Sequence, residues 1–448
     1  MKKFDVFIIG SGMAGMTVAN KCASKGLSVG ITDELPYGGT CALRGCDPKK
    51  VLIGATEAAN FAKNLQGKGI DGVPSINWRD LMSFKESFTR PMPSKIEKGY
   101  EKNGIAMFHS PAKFVSKNQL MVGETIVQAD KVVLATGAKP RTLGIPGSEH
   151  ALTSSDFLNL DHLPNSLLFV GGGYIAFEFA HIAARCGAEV TIVHRGASPL
   201  KNFEQDIVQH LVSATQELGV KVILNTEVVE IIRENNEYKV IGKNGNEKKE
   251  FSVSAVFNSA GRIPAVFDLD LQKANVKFSK KGVEVNEYLQ STTNKHVYAA
   301  GDSADTKGLP LTPVAVMEGH ILASNLINGN NKTPEYKAVP TVVFTLPTMA
   351  SVGITEKEAK AQNLNCKVNY QFVPNWFNAK RLNEEYYTFK TLIDKDSNKI
   401  LGAHLLGPDT EETINLFAMA MNTGLKANQI KSMVFSYPTL ASDISSMI

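Results

Sequence analysis

Short apolar runs alternate with longer mixed stretches along the first third of the chain. Phe4 to Ile9 (FDVFII) is an apolar run that stops at glycine, the pattern of a strand buried on both faces. A helical stretch from Ala14 to Lys25 follows, then a second strand from Leu27 to Thr32, closed by Asp33. Strand, helix and strand make a βαβ unit. A second copy lies downstream: a strand over Ser166 to Val170, a turn over Gly171 to Ala176, a helix over Ile175 to Cys186 and a strand over Glu189 to His194. Two such copies predict two nucleotide-binding domains of the Rossmann-like α/β class.

Each copy is followed by a strand ending in a small-residue turn, Lys131 to Gly137 (KVVLATG) and Ala255 to Gly261 (AVFNSAG). Pro140, Pro146 and Pro264 mark crossovers between domains. Asn244-Gly245 signals a hairpin within the second domain. Beyond the polar stretch Gly329 to Lys337 the pattern changes. Strand-like runs (Thr341 to Thr345, Thr388 to Ile393, Leu401 to Leu406), a turn at Asp394 to Asn398 and an apolar helix from Glu411 to Met421 predict a C-terminal α+β domain.

Composition narrows the class. The 448 residues suit two to three domains. With 43% hydrophobic and 21% charged residues the chain has ample core, and a formal net charge of +4 gives no argument for nucleic acid or an acidic membrane surface. Asp5 interrupts the apolar N-terminal run and the glycine turn begins at Gly10, which argues against a secretory signal. No stretch has the length of a membrane span. The expectation is a cytoplasmic protein. Five cysteines are too few for a disulfide framework, so a close pair points to catalysis or metal binding.

The chemistry-bearing motifs follow. Gly10-Ser11-Gly12-Met13-Ala14-Gly15 fits G-x-G-x-x-G directly after a strand. Its glycines serve the tight turn, the approach of pyrophosphate and the packing of helix on strand. Asp33 ends the next strand, where a carboxylate can take ribose hydroxyls. The second fingerprint, Gly171-Gly172-Gly173-Tyr174-Ile175-Ala176, leads to His194-Arg195 with Lys201 nearby. A cationic end suits the 2′-phosphate of NADPH, which is expected over NADH, with NADH left open. Thr40-Cys41 and Gly45-Cys46-Asp47-Pro48-Lys49-Lys50 frame a C-x4-C pair. Four intervening residues can form a helical turn that joins the sulfurs, and a helix N-terminus stabilises a thiolate. No second pair completes a zinc site, so no metal is expected. Cys22, Cys186 and Cys366 read as core residues, and His109, His320 and His404 as structural.

The N-terminal G-x-G-x-x-G, GGTC-x4-C-x-PKK, ATG, the second G-x-G-x-x-A-x-E and Ala300-Gly301-Asp302 occur in order along essentially the whole chain. Together they resemble the flavoprotein disulfide reductases, a family that includes glutathione reductase, dihydrolipoamide dehydrogenase and mercuric reductase. The resemblance implies an FAD-binding domain over residues 1–145 and 266–332, an NAD(P) domain over 146–265 and a dimerisation domain over 333–448. It makes Cys46 the thiolate against the flavin and Cys41 the thiol that attacks substrate. Lys49 would pair with Glu178 near the flavin, and Tyr174 would cover the nicotinamide pocket. Asp302 would hold the ribityl chain, and Thr312 would lie near the pyrimidine end. Thr40, Thr136, Gly137, Gly261, Arg262 and Gly301 fall in the cofactor-lining motifs. A homodimer would share each active site between two chains.

The chain departs from that family at one instructive place. Glutathione and dihydrolipoamide enzymes carry His-Pro-Thr with an acid five residues after the histidine. Here the stretch is Tyr437-Pro438-Thr439, with Ser442 at the acid's place and Asp443 one further on. Histidine can give and take a proton at neutral pH, whereas tyrosine, with a pKa of about 10, donates but recharges poorly. The arginine that glutathione reductases present on the first helix is replaced by Asn20, and the C-terminal cysteine pair of mercuric reductases does not occur. The expected reaction is NADPH-dependent reduction of a small oxidised thiol through a Cys41–Cys46 disulfide. The alternatives are a metal ion, quinone or hypothiocyanite-type acceptor, and a non-enzymatic nucleotide-binding subunit.

Overall fold

The structure is a computed structural model describing residues 1–448. The chain divides into two compact units. One comprises Met1–Lys49, Ser83–Arg141 and Arg262–Tyr336, and the other Lys50–Met82, Thr142–Gly261 and Lys337–Ile448.

The first unit is built on a seven-stranded sheet. Strand β1 (Lys2–Ile9) lies between β2 (Val29–Thr32) and the long strand Thr125–Leu134, parallel to both, with Ile9 opposite Thr32 and Leu134. Short parallel strands at Ala106–Phe108 and Val297–Ala299 extend it. Phe7, Ile8, Ile31, Val132 and Val133 are fully buried, as expected of strands covered on both faces. Helix α1 (Met13–Ala23) packs back on this sheet and buries Val18, Ala19 and Cys22. Two further helices, Trp78–Thr89 and Met92–Lys102, have no counterpart among the sequence expectations.

The second unit holds a four-stranded parallel sheet, in the order Lys221–Ile223, Glu189–Val193, Ser166–Val170 and Ala255–Asn258. It also holds a three-stranded antiparallel sheet whose last two strands, Glu237–Asn244 and Glu247–Val253, form the expected hairpin. The C-terminal part is a five-stranded antiparallel sheet covered by the helix Thr410–Thr423. The fold is thus α/β, with a seven-stranded sheet whose parallel strands are extended by an antiparallel pair (Gln119–Val122 and Ala112–Phe114), a wholly parallel four-stranded sheet, and a C-terminal α+β portion. No helix is long and apolar enough to cross a membrane.

Candidate active site

The two glycine turns are built alike. Gly10 has φ +103° and Gly171 φ +124°, a region open to glycine, and a Cβ there would lie 2.2 Å from the Ala135 carbonyl oxygen or 2.4 Å from that of Ser259. A Cβ on Gly15 would meet the Gly10 carbonyl at 2.0 Å, so the helix can approach its strand only without a side chain. At Gly12 and Gly173, by contrast, nothing lies within 4 Å of an added Cβ. Those are the positions where a pyrophosphate needs room at a helix N-terminus.

The residues around the first turn fit a flavin dinucleotide. Asp33 Oδ2 accepts from the backbone N–H and the hydroxyl of Ser11 at 2.8 and 2.7 Å, and Oδ1 from Leu35 N–H at 3.0 Å. A carboxylate accepts about four hydrogen bonds, so capacity remains for ribose hydroxyls. The Thr136 hydroxyl is buried with no partner in the chain, the condition of a group that awaits a ligand. Gly137 follows it with φ +66°. Glu318, 1% exposed, holds the Gly301-Asp302 turn by accepting from Gly301 N–H at 2.6 Å, Thr306 Oγ1 at 2.9 Å and Tyr336 OH at 2.6 Å. Sequence reasoning missed it, because its partners lie up to 18 residues away and no motif flags it. Burial raises the Asp302 carboxyl, opposed by the Arg262 guanidinium, which also donates to the Ala138 carbonyl.

The cysteine loop lies against the fingerprint turn: a Cβ on Gly39 would sit 2.5 Å from Gly12 Cα. Here the structure corrects one expectation. Cys41 and Cys46 are not joined by a single helical turn. Helix α2 (Gly39–Arg44) ends at Gly45, whose φ of −150° and ψ of −111° break the helix, and Cys46 opens a new helix, α3 (Cys46–Asn64). The break puts Cys46 at a 19-residue helix N-terminus, with Thr40 on α2 and Lys49 on the first turn of α3.

Both thiols are free and interact with each other. The Cys41 thiol donates to Cys46, Thr312 Oγ1 lies 3.5 Å from Cys46 Sγ, and the Lys49 ammonium adds its field; Cys46 is pulled down to about 6. The reciprocal bond and burial push Cys41 up. At neutral pH the pair therefore carries one negative charge, on Cys46, and one proton, on Cys41. Asp47 Oδ1 stands 3.8 Å from Cys41 Sγ as a second acceptor for that proton.

In the second unit, helix Tyr174–Arg185 presents one polar stripe to the segment 341–346. Tyr174 OH meets Thr341 Oγ1 at 2.7 Å, and Glu178 Oε1 accepts Phe344 N–H at 2.9 Å. Leu346 N–H donates to His181 Nδ1 at 3.2 Å, and Arg185 donates to the Leu346 carbonyl at 2.9 Å. Residues 174, 178, 181 and 185 fall on one helix face. Because two donors reach His181 Nδ1, its Nε2 carries the proton toward Thr215 Oγ1 at 2.9 Å, and burial holds the ring neutral.

The cationic turn differs from expectation at one residue. His194 folds back, with Nε2 3.1 Å from the Ser198 carbonyl and its ring against Gly172 and Gly196; burial keeps its pKa below the usual value. Arg195 and Lys201 remain exposed, so the positive charge rests on them. Gly261, φ +111°, closes the last strand of that sheet. Tyr437 is 75% exposed, its ring 6.4 Å from that of Phe377. Ser442 Oγ donates to the Thr439 carbonyl, and Asp443 is held by Asn378 and Tyr387, both at 3.0 Å. Glu204, Asp206 and Glu356 converge, but the Lys390 ammonium sits among them and makes an ion-pair cluster. Cys22 is buried as expected, whereas Cys186 and Cys366 are only half-buried.

A family model described as pyridine nucleotide-disulphide oxidoreductase matches residues 4–319, and the dimerisation domain of the same family matches 339–448. The chain belongs to this family. It is 30% identical to a glutathione reductase of Burkholderia cepacia over 98% of its length and 97% of the relative's. It is 31% identical to a dihydrolipoyl dehydrogenase of Bacillus subtilis over 97% and 95%. Among solved structures, a Cu(II) complex of the HOCl-induced flavoprotein disulfide reductase RclA from Escherichia coli superposes with a TM-score of 0.89 at 27% identity, covering 100% of this chain and 99% of that one. Membership makes the protein a flavin-dependent oxidoreductase acting on sulfur groups, with FAD and a pyridine nucleotide as cofactors, and its dimerisation domain supports a homodimer.

Proposed function

We propose that the protein uses NADPH to reduce a small oxidised thiol through the Cys41–Cys46 pair. The observation that carries this reading is the setting of the two free sulfurs: Cys46 opens α3 with Thr312 Oγ1 3.5 Å from its Sγ, and the Cys41 thiol donates to it, an asymmetry that lowers Cys46 and raises Cys41. A dithiol exchanging with an external disulfide needs one sulfur to attack and another to resolve. FAD, when bound, supplies the hydride acceptor and passes an electron pair to a disulfide. The chain's own residues do the rest. Gly10, Gly12, Gly15, Asp33, Thr136, Arg262 and Asp302 hold the dinucleotide, and Thr312 and Lys49 steady charge on Cys46. Glu178 and Tyr174 serve the nicotinamide end. Arg195 and Lys201 favour NADPH by binding its 2′-phosphate. The split FAD domain, the inserted NADPH domain and a site completed by Tyr437 of a second chain belong to the same proposal.

The test is anaerobic. NADPH bleaches the flavin of the purified holoenzyme, and a panel of oxidised thiols then restores its colour at rates that rank the substrates. A flavin that NADPH leaves oxidised contradicts the reading.

A second reading keeps the flavin and dithiol but reduces a metal ion or a reactive oxidant. Two observations favour it: Tyr437 replaces the histidine of disulfide-cleaving relatives, and the superposed RclA is described as HOCl-induced and as a Cu(II) complex. Reoxidation by Cu(II) or hypothiocyanite faster than by every disulfide in the panel selects this reading.

A further inference from the structure

Cys41 must lose a proton when it attacks, and the leaving sulfur must gain one. Near the reacting atom the structure offers two acceptors. One is Cys46, whose charge is needed afterwards to resolve the mixed disulfide, so a proton parked there disables the second step. The other is Asp47. Its Oδ1 stands 3.8 Å from Cys41 Sγ, within reach of the proton that the thiol otherwise directs at Cys46. It lies in the first turn of α3 and is exposed, open to an incoming molecule. The other carboxylate that the sequence offered, Asp443, is held by Asn378 and Tyr387.

We propose that Asp47 is a catalytic residue, the proton carrier of Cys41. The inference rests on the reading of the Cys41–Cys46 pair as a disulfide-reducing centre. As the Cys41 sulfur attacks one sulfur of an oxidised thiol R–S–S–R, its proton passes to the Asp47 carboxylate. The S–S bond of the substrate breaks, a Cys41–S–S–R bond forms, and the leaving RS⁻ takes the proton from Asp47 to become RSH. Cys46 thiolate then attacks Cys41 Sγ, forming the Cys41–Cys46 disulfide and releasing the second RS⁻. Two electrons leave the protein's sulfurs and reduce one R–S–S–R to RSH and RS⁻. The Asp47 charge also raises both cysteines, so its loss has two opposite effects. More thiolate forms, yet the carrier is gone.

That opposition makes the test. Holoenzyme pre-reduced with NADPH is mixed with hydroxyethyl disulfide, whose leaving thiolate needs a proton, or with an aromatic disulfide whose leaving thiolate does not. For Asp47→Asn the expected reoxidation by hydroxyethyl disulfide is at least about 10-fold slower than wild type, the low end for a general acid–base group. Reoxidation by the aromatic disulfide, which loses only the acceptor of the Cys41 proton, slows clearly less than reoxidation by hydroxyethyl disulfide; reduction by NADPH stays within about twofold, and Asp47→Glu restores much of the aliphatic rate. Alkylation of Cys41 at neutral pH becomes faster in Asp47→Asn. Equal aliphatic rates, or an equal loss with both disulfides, overturn the proton-carrier role alone. A wild-type enzyme that neither disulfide reoxidises overturns the role together with the reading on which it rests.

Discussion

The hydroxyl of Thr312 lies 3.5 Å from the sulfur of Cys46, although 266 residues separate them. Thr312 is the first residue of the helix Thr312–Asn328, so the thiolate faces that helix N-terminus while sitting at the start of α3 itself. A hydrogen bond to a charged group contributes about 1.5–3 kcal/mol. Thr312→Val is therefore expected to raise Cys46 from about 6 by roughly one unit. In wild type the thiolate is present above about pH 6 and lost below it. In the variant that loss begins at higher pH. The pH dependence of alkylation of the reduced enzyme measures it.

Cys41→Ser separates the two half-reactions. The variant is expected to keep its flavin and its reduction by NADPH while disulfide turnover falls to background. Steady-state assays with any disulfide that wild type reduces check this, and full turnover by the variant removes Cys41 from its role.

Arg195 and Lys201 are the exposed cations of the second turn, His194 being folded onto Gly172. Exchanging both for alanine is expected to raise the KM for NADPH by about 10-fold or more, the scale of a lost charge-assisted contact, with the KM for NADH nearly unchanged. Parallel coenzyme titrations give the answer.

Much of this was legible in advance where the signal is local. The strand Ser166–Val170 has the expected bounds, and the glycine turns fall where apolar runs stop. What was not legible depends on breaks and distant partners. The halt of α2 at Gly45 is a backbone event that the C-x4-C spacing does not encode, and it is what brings Asp47 to Cys41. His194 looked like a surface cation because its return to the Ser198 carbonyl is a loop conformation, invisible to charge counting. Glu318 carries no motif, and its role arises only where the Gly301 turn rests on it.

That carboxylate gives a stability prediction. Glu318→Ala leaves the Gly301 N–H, the Thr306 hydroxyl and the Tyr336 hydroxyl without their acceptor. A cost of about 3 kcal/mol is expected, together with weaker flavin retention because the Asp302 turn loosens. Denaturant titration and the flavin-to-protein absorbance ratio report the two effects. Burial raises the Glu318 carboxyl, so any stability linked to its protonation is present below its unfolded pKa and is lost as pH rises through the folded value.

The central claim is that electrons from the nicotinamide reach these two sulfurs. Oxidised holoenzyme is treated with excess NADPH without oxygen, quenched with a thiol-alkylating reagent and mapped by peptide mass spectrometry. Cys41 and Cys46 are expected to be unlabelled before NADPH and both labelled after it, with Cys22, Cys186 and Cys366 unchanged. Identical labelling of Cys41 and Cys46 with and without NADPH contradicts the account.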